Sequence, residues 1–182
     1  YNPIIKNRSD SMYNHESKTI ISVGHLRSIK GFDMLIDVAN IVFKKHGDWQ
    51  WKIYGDGPEK ERLKDKINEY GLDGNVILCG KTTEIENCYK SSSIYVLTSR
   101  MEGLPMVLLE AKTYNLPTVS FDIETGPNEI VRNNVNGFLI ILFRNHAYNQ
   151  DVDIEKLPPD RSSRSSGMLI QRGPPRPLES SE

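Results

Sequence analysis

Two glutamates eight positions apart, Glu102 and Glu110, sit in the run Ser99-Arg100-Met101-Glu102-Gly103-Leu104-Pro105-Met106-Val107-Leu108-Leu109-Glu110-Ala111. The run follows an apolar, strand-like segment and carries Gly103 and Pro105 where helical spacing begins. A helix start leaves backbone N–H groups free and presents the positive end of the helix dipole, which together suit a diphosphate. Pro105 has no N–H, so the donors are those of Gly103, Leu104 and Met106. Glu110 falls about a turn and a half into the helix, ~8 Å along its axis. That reach suits a ribose beyond the diphosphate, because one carboxylate can accept from both vicinal hydroxyls. A second strand-to-helix loop is Val23-Gly24-His25-Leu26-Arg27-Ser28-Ile29-Lys30-Gly31. Its Arg27 and Lys30 supply cations that could neutralise the same anion. Taken singly, Glu102 reads as a helix-dipole charge, Glu110 as a surface charge and the second loop as an exposed basic turn. Two loops converging on one anionic ligand form the stronger reading.

The elements that must position these residues are legible from periodicity. Thr19 to Val23 is a short apolar run stopping at Gly24, and Phe32, Leu35, Ile36, Ala39, Val42 and Phe43 follow at helical spacing. Trp51 to Tyr54 is halted by Gly55-Asp56-Gly57-Pro58, where Asp56 or Gly57 caps a helix whose first position is Pro58. Leu63, Ile67 and Tyr70 lie on one face of that helix, which ends at Gly71. Further strands are predicted at Asn75 to Cys79, Ser93 to Leu97, Pro117 to Phe121 and Gly137 to Ile140, with a short helix opening at Pro127. Strands apolar on both faces and separated by helices imply an α/β fold, a Rossmann-like parallel sheet with helices on both faces. Ligands in such sheets sit beyond the C-terminal strand ends, which is where both loops lie.

Composition narrows the field. The chain has 182 residues, 37% hydrophobic and 26% charged, with a net charge of -1. That suits one soluble domain and leaves no basic excess for nucleic acid. Gly80-Lys81-Thr82 resembles the end of a phosphate-binding loop, but Asn75 stands where its first glycine belongs. Gly55-Asp56-Gly57 lacks the third glycine of a dinucleotide fingerprint, since Lys60 occupies that position. His15, His25, His46 and His146 show no metal-ligand spacing, so no metal site is expected. Cys79 and Cys88 are too few for a disulfide scaffold; Cys79 reads as a small buried hydrophobe and a reducing compartment as the setting. No apolar stretch approaches ~18 residues, so none is expected to span a membrane. Residues 1–16 are polar and read as a linker, residues 17–143 as the domain. Residues 144–182 read as a disordered or non-native tail, with half of the ten prolines between Leu157 and Pro177.

A loop ending in Lys30-Gly31, then Gly55-Asp56-Gly57-Pro58, then Glu102 and Glu110 resembles the C-terminal domain of family 4 retaining glycosyltransferases. Phe121-Asp122-Ile123-Glu124-Thr125-Gly126-Pro127-Asn128-Glu129-Ile130 and Asn136-Gly137-Phe138-Leu139 continue the likeness, which covers about residues 17–140. The resemblance implies one half of a GT-B enzyme, holding a nucleotide-sugar donor, a UDP-sugar by preference. Lys30 then binds the diphosphate, with Gly24, His25 and Arg27 in the same loop. Glu102 lies near the transferred sugar, and Gly103, Leu104, Pro105 and Met106 lie against sugar and phosphate. Glu110 binds the ribose, and the loop around Gly80-Lys81-Thr82 lies beside the base. Transfer retains anomeric configuration and requires no metal or other cofactor; the nucleotide-sugar is a substrate.

Three departures accompany the likeness. The family commonly has arginine after the first loop glycine, where this chain has His25, which lacks a permanent charge and a forked geometry. The likeness implies an acceptor-binding N-terminal domain that is expected to lie outside these 182 residues, and a Ser/Pro/Arg tail stands where the family has its C-terminal helices. With one wall to its cleft, the fragment is expected to be inactive alone. The implied partners are the donor and a saccharide acceptor held by the missing domain, as in surface-polysaccharide synthesis. The implied location is cytoplasmic, with peripheral membrane contact through the full-length enzyme. Two other readings are a nucleotide-sugar 2-epimerase half and a non-catalytic nucleotide-sugar-binding module.

Overall fold

The computed structural model describes residues 14–141. Most of the linker predicted over residues 1–16 and the whole tail predicted over 144–182 lie outside them. Six strands form one sheet: β1 Thr19–Val23, β2 Gln50–Tyr54, β3 Val76–Gly80, β4 Ile94–Leu97, β5 Thr118–Asp122 and β6 Gly137–Ile141. Every pairing is parallel and the order is β3-β2-β1-β4-β5-β6. The helices are α1 Phe32–Val42, α2 Lys60–Glu69, α3 Ile85–Lys90, α4 Met106–Thr113 and α5 Pro127–Ile130, with a 3-10 turn at Ser28–Lys30.

Alternation along the strands divides the core between two faces. Ile20, Trp51, Ile53, Ile94 and Val96 pack with Phe32, Leu35, Ile36 and Ala39 of α1 and Leu63 and Ile67 of α2. Their neighbours Ile21, Tyr95 and Leu97 turn the other way, against Tyr89, Leu108, Ala111 and Val131 from the α3, α4 and α5 side. The Trp51 indole donates to Ser22 Oγ at 3.0 Å, and Ser22 donates to the Val96 carbonyl at 2.6 Å. These polar groups are thus partnered where the strands are buried on both faces.

Three expectations need correction. The second helix starts at Lys60, not Pro58: Pro58 and Glu59 form a turn, and Gly57 accepts from the Lys60 N–H at 3.2 Å. Neither Asp56 nor Gly57 caps it, since Glu59 is the residue before the first turn. Helix α3 lacks a sequence prediction; at six residues it carries only Ile85, Cys88 and Tyr89 as an apolar stripe. Its local signal is Thr82, whose Oγ1 accepts from the Glu84 N–H at 3.0 Å just before the helix. Cys79 is half-buried rather than fully buried, and Cys79 and Cys88 are both free thiols.

Candidate functional site

Strand order reverses direction between β1 and β4, so the loops leaving these two adjacent strands diverge and open a crevice. They are the two loops that carry the candidate cations and carboxylates. The β1 loop is braced from β2: Gly24 donates to the Tyr54 carbonyl at 2.9 Å and Leu26 to the Asp56 carbonyl at 3.0 Å. The Gly-Asp-Gly-Pro turn therefore supports the neighbouring loop rather than forming a phosphate site of its own. His25 is exposed and lies against Gly57 of that turn. Arg27 is exposed just before the 3-10 turn, which ends at Lys30.

Across the crevice, Lys30 Nζ meets Glu102 Oε1 at 2.7 Å, with side-chain exposures of 27% and 9%. Ser99 donates to the same Glu102 oxygen at 2.6 Å, and Thr125 Oγ1 donates to the Glu102 carbonyl at 2.5 Å. A carboxylate this enclosed is tolerable because a cation and a hydroxyl partner it. Pro105 is buried as the residue preceding α4. The N–H groups of Gly103, Leu104, Met106 and Val107 donate to no backbone carbonyl among the described residues. They form a ready set of donors at the positive helix end, directly following Glu102, which Lys30 pairs.

Glu110 is four residues into α4, ~6 Å along the axis rather than ~8 Å, because the helix begins at Met106. It is half-buried and accepts from the Tyr89 hydroxyl at 3.2 Å. Tyr89 stacks on Tyr114 with ring centroids 5.2 Å apart. Burial, then the nearby Tyr95 and Glu110, push the Tyr89 hydroxyl far above its ordinary range, so it stays a donor. Tyr95, fully buried within β4, has its pKa raised first by burial, against the lowering effect of the bond its hydroxyl donates to the Val23 carbonyl at 3.5 Å. Tyr89→Phe is expected to lower stability by roughly 0.5–1.5 kcal/mol, since water can reach the half-buried carboxylate once its donor is gone. A urea midpoint that falls by this amount at unchanged slope checks it.

The structure brings Lys30, Glu102 and the 103–106 turn together. It leaves the Arg27 and Lys81 side chains exposed, with no ion pair to either among the described residues. Lys81 follows β3, an edge strand, two strands away from the crevice. The sequence reading missed Tyr89, Tyr95, Thr125 and the Arg100–Asp33 pair described below. Tyrosines at buried positions read as ordinary core, and α3 is too short to announce itself. Among the described residues, no three His, Cys, Asp or Glu side chains gather as a metal site, and no helix is long and apolar enough to cross a membrane.

A six-stranded parallel sheet with this strand order, helices on both faces and a polar cluster at the switch point defines a Rossmann-like domain. Comparison with known proteins narrows the class. The family model for glycosyl transferases, group 1, matches residues 4–157, and the chain belongs to that family. It is 44% identical over 124 residues to an uncharacterized glycosyltransferase of Haemophilus influenzae, covering 68% of this chain and 35% of that protein. It is 39% identical over 134 residues to the amylovoran biosynthesis glycosyltransferase AmsD of Erwinia amylovora, covering 74% and 37%. A crystal structure of a variant of S. aureus TarM, in complex with fondaparinux, alpha-GlcNAc-glycerol and UDP, superposes with a TM-score of 0.70 at 33% identity. That match covers 71% of this chain and 26% of TarM. The chain thus spans between about a quarter and two fifths of the length of these relatives.

Proposed function

We propose that residues 17–143 are the donor-binding domain of a family 4 retaining glycosyltransferase that takes a UDP-sugar and glycosylates a saccharide in surface-polysaccharide synthesis. The observation that carries the reading is the meeting of Lys30 and Glu102 at the switch point, just before four backbone N–H groups that donate to no backbone carbonyl among the described residues. TarM's complex with UDP and the amylovoran role of AmsD support the donor and the pathway class.

In this reading the diphosphate lies on the N–H groups before and within the first turn of α4. Lys30 has three N–H donors, so it can keep Glu102 and still meet a phosphate oxygen. As the glycosidic bond to the nucleotide breaks, negative charge grows on the diphosphate, and these prearranged donors stabilise it without reorganising. Glu102, held by Lys30 and Ser99, faces the transferred sugar. Glu110, aimed by Tyr89, takes the ribose hydroxyls. The Gly80-Lys81-Thr82 loop borders the base. Arg27 adds charge from the loop rim, where His25 replaces a permanent cation. The chemistry needs no resident metal. The acceptor is held by a second domain outside this chain, so this chain alone binds donor without transferring sugar. The whole enzyme works in the cytoplasm, touching the membrane peripherally.

Calorimetric titration with UDP, GDP and UDP-sugars tests this. Saturable UDP binding is expected, weakened about tenfold in Glu110→Ala by the loss of ~1.5 kcal/mol of charge-assisted hydrogen bonding. A folded sample that takes up no nucleotide, or a Glu110→Ala titration overlaying the wild type, would count decisively against it.

A further inference from the structure

Arg100 ties the two loops of the crevice together, although no motif marks it. Its guanidinium meets Asp33, the second residue of α1, in two parallel bonds of 2.7 Å each. Nη1 also donates to the Ser28 carbonyl at 2.6 Å, and the Arg100 backbone N–H donates to the Ile29 carbonyl at 2.8 Å. Two residues earlier along the same strand exit, Thr98 Oγ1 donates to the Lys30 carbonyl at 3.3 Å. Three consecutive carbonyls of the 3-10 turn, those of Ser28, Ile29 and Lys30, are therefore held by the segment leaving β4. The Lys30 side chain then reaches Glu102, two residues beyond Arg100.

Exposed ion pairs ordinarily contribute little, but a bidentate arginine–carboxylate pair with added hydrogen bonds is the exception. The Asp33 carboxyl reflects this. Burial alone would raise its pKa, yet the hydrogen bonds and charge of Arg100 hold it below its ordinary value. A lysine could meet Asp33 or Ser28 but lacks the planar fork that meets both.

We infer that Arg100, braced by Asp33, is a positioning residue that holds the Ser28–Lys30 turn where the Lys30 ammonium can meet the donor diphosphate. The inference rests on the nucleotide-binding reading above. It is tested with Arg100→Ala, Arg100→Lys and Asp33→Asn, compared with Arg62→Ala. Arg62 also approaches Asp33, at 3.8 Å, but makes no hydrogen bond to the Ser28–Lys30 turn among the described residues. Two measurements are made on each: calorimetric titration with UDP, and the backbone amide spectrum of the unliganded protein at Ile29, Lys30 and Gly31.

Arg100→Ala and Asp33→Asn are expected to weaken UDP binding about tenfold, as when only one molecule in ten keeps a competent loop. The Ile29, Lys30 and Gly31 signals should shift or broaden while those of the sheet stay in place. Arg100→Lys falls between, and Arg62→Ala matches the wild type. Should Arg100→Ala fail to fold, Arg100→Lys and Asp33→Asn carry the comparison. Unchanged UDP affinity in Arg100→Ala, unmoved turn signals, or an equal loss in Arg62→Ala overturns the positioning role alone. A wild-type protein that binds no UDP removes the nucleotide reading and this inference with it.

Discussion

Lys30→Ala should weaken UDP binding by about 10–100-fold, a loss of ~1.5–3 kcal/mol expected for a hydrogen bond between charged groups. Two effects act in the same direction. In the proposed reading the ammonium that meets the phosphate is lost, and Glu102, only 9% exposed, keeps Ser99 but loses its cation while facing an anion. Glu102→Gln separates ligand binding from simple ion pairing. Removing that carboxylate frees Lys30 and deletes a repulsion, so UDP affinity should hold or rise even as folding stability falls. If Lys30 served only as Glu102's counter-ion, both substitutions would lower stability and neither would alter UDP affinity. Paired titrations and urea unfolding of the two variants decide between these outcomes.

A large loss of stability is expected at Gly31, with Gly31→Ala costing ~2–5 kcal/mol. Gly31 has φ +66°, and a Cβ there would stand 2.0 Å from the Thr98 carbonyl oxygen and 2.8 Å from Met34 Cε. The left-handed backbone contributes ~1–2 kcal/mol and the collision a further ~1–3 kcal/mol. The backbone cannot yield easily, because Gly31 closes the 3-10 turn through Ser28 and accepts the first bonds of α1 from Met34 and Leu35. Gly71→Ala supplies the comparison: its φ is +64°, but open space surrounds the added carbon, so it bears the conformational cost alone. Urea unfolding of the two variants should show Gly31→Ala clearly the more damaging. Equal losses would mean that the turn does not pack against Thr98 as described. Since a domain has ~5–15 kcal/mol in total, Gly31→Ala removes a large share of it.

Both predictions concern the same few ångströms, and they show how unevenly the sequence announces a site. The chain pattern alone placed β1 at Thr19–Val23, α1 from Phe32 and α5 from Pro127, because burial stripes and breakers act within a few residues. The Lys30 loop and the Glu102–Glu110 run were legible for the same reason, as cations and carboxylates at the ends of apolar segments. Local pattern went astray where a turn or a stub of helix intervened. It started α2 two residues early at Pro58, and it passed over α3, whose six residues carry too few apolar positions to show a period.

What only the tertiary structure decided was adjacency. Strand order set β1 beside β4, and that single pairing turned two loops 72 residues apart into the Lys30–Glu102 contact. The same packing aimed Tyr89 at Glu110 and let Arg100 grip Ser28 and Asp33, contacts with no signature along the chain. Periodicity records which way each side chain faces, since that depends on residues three or four apart. Which elements meet depends on how the faces of the whole sheet are buried, and that is a property of all of them together.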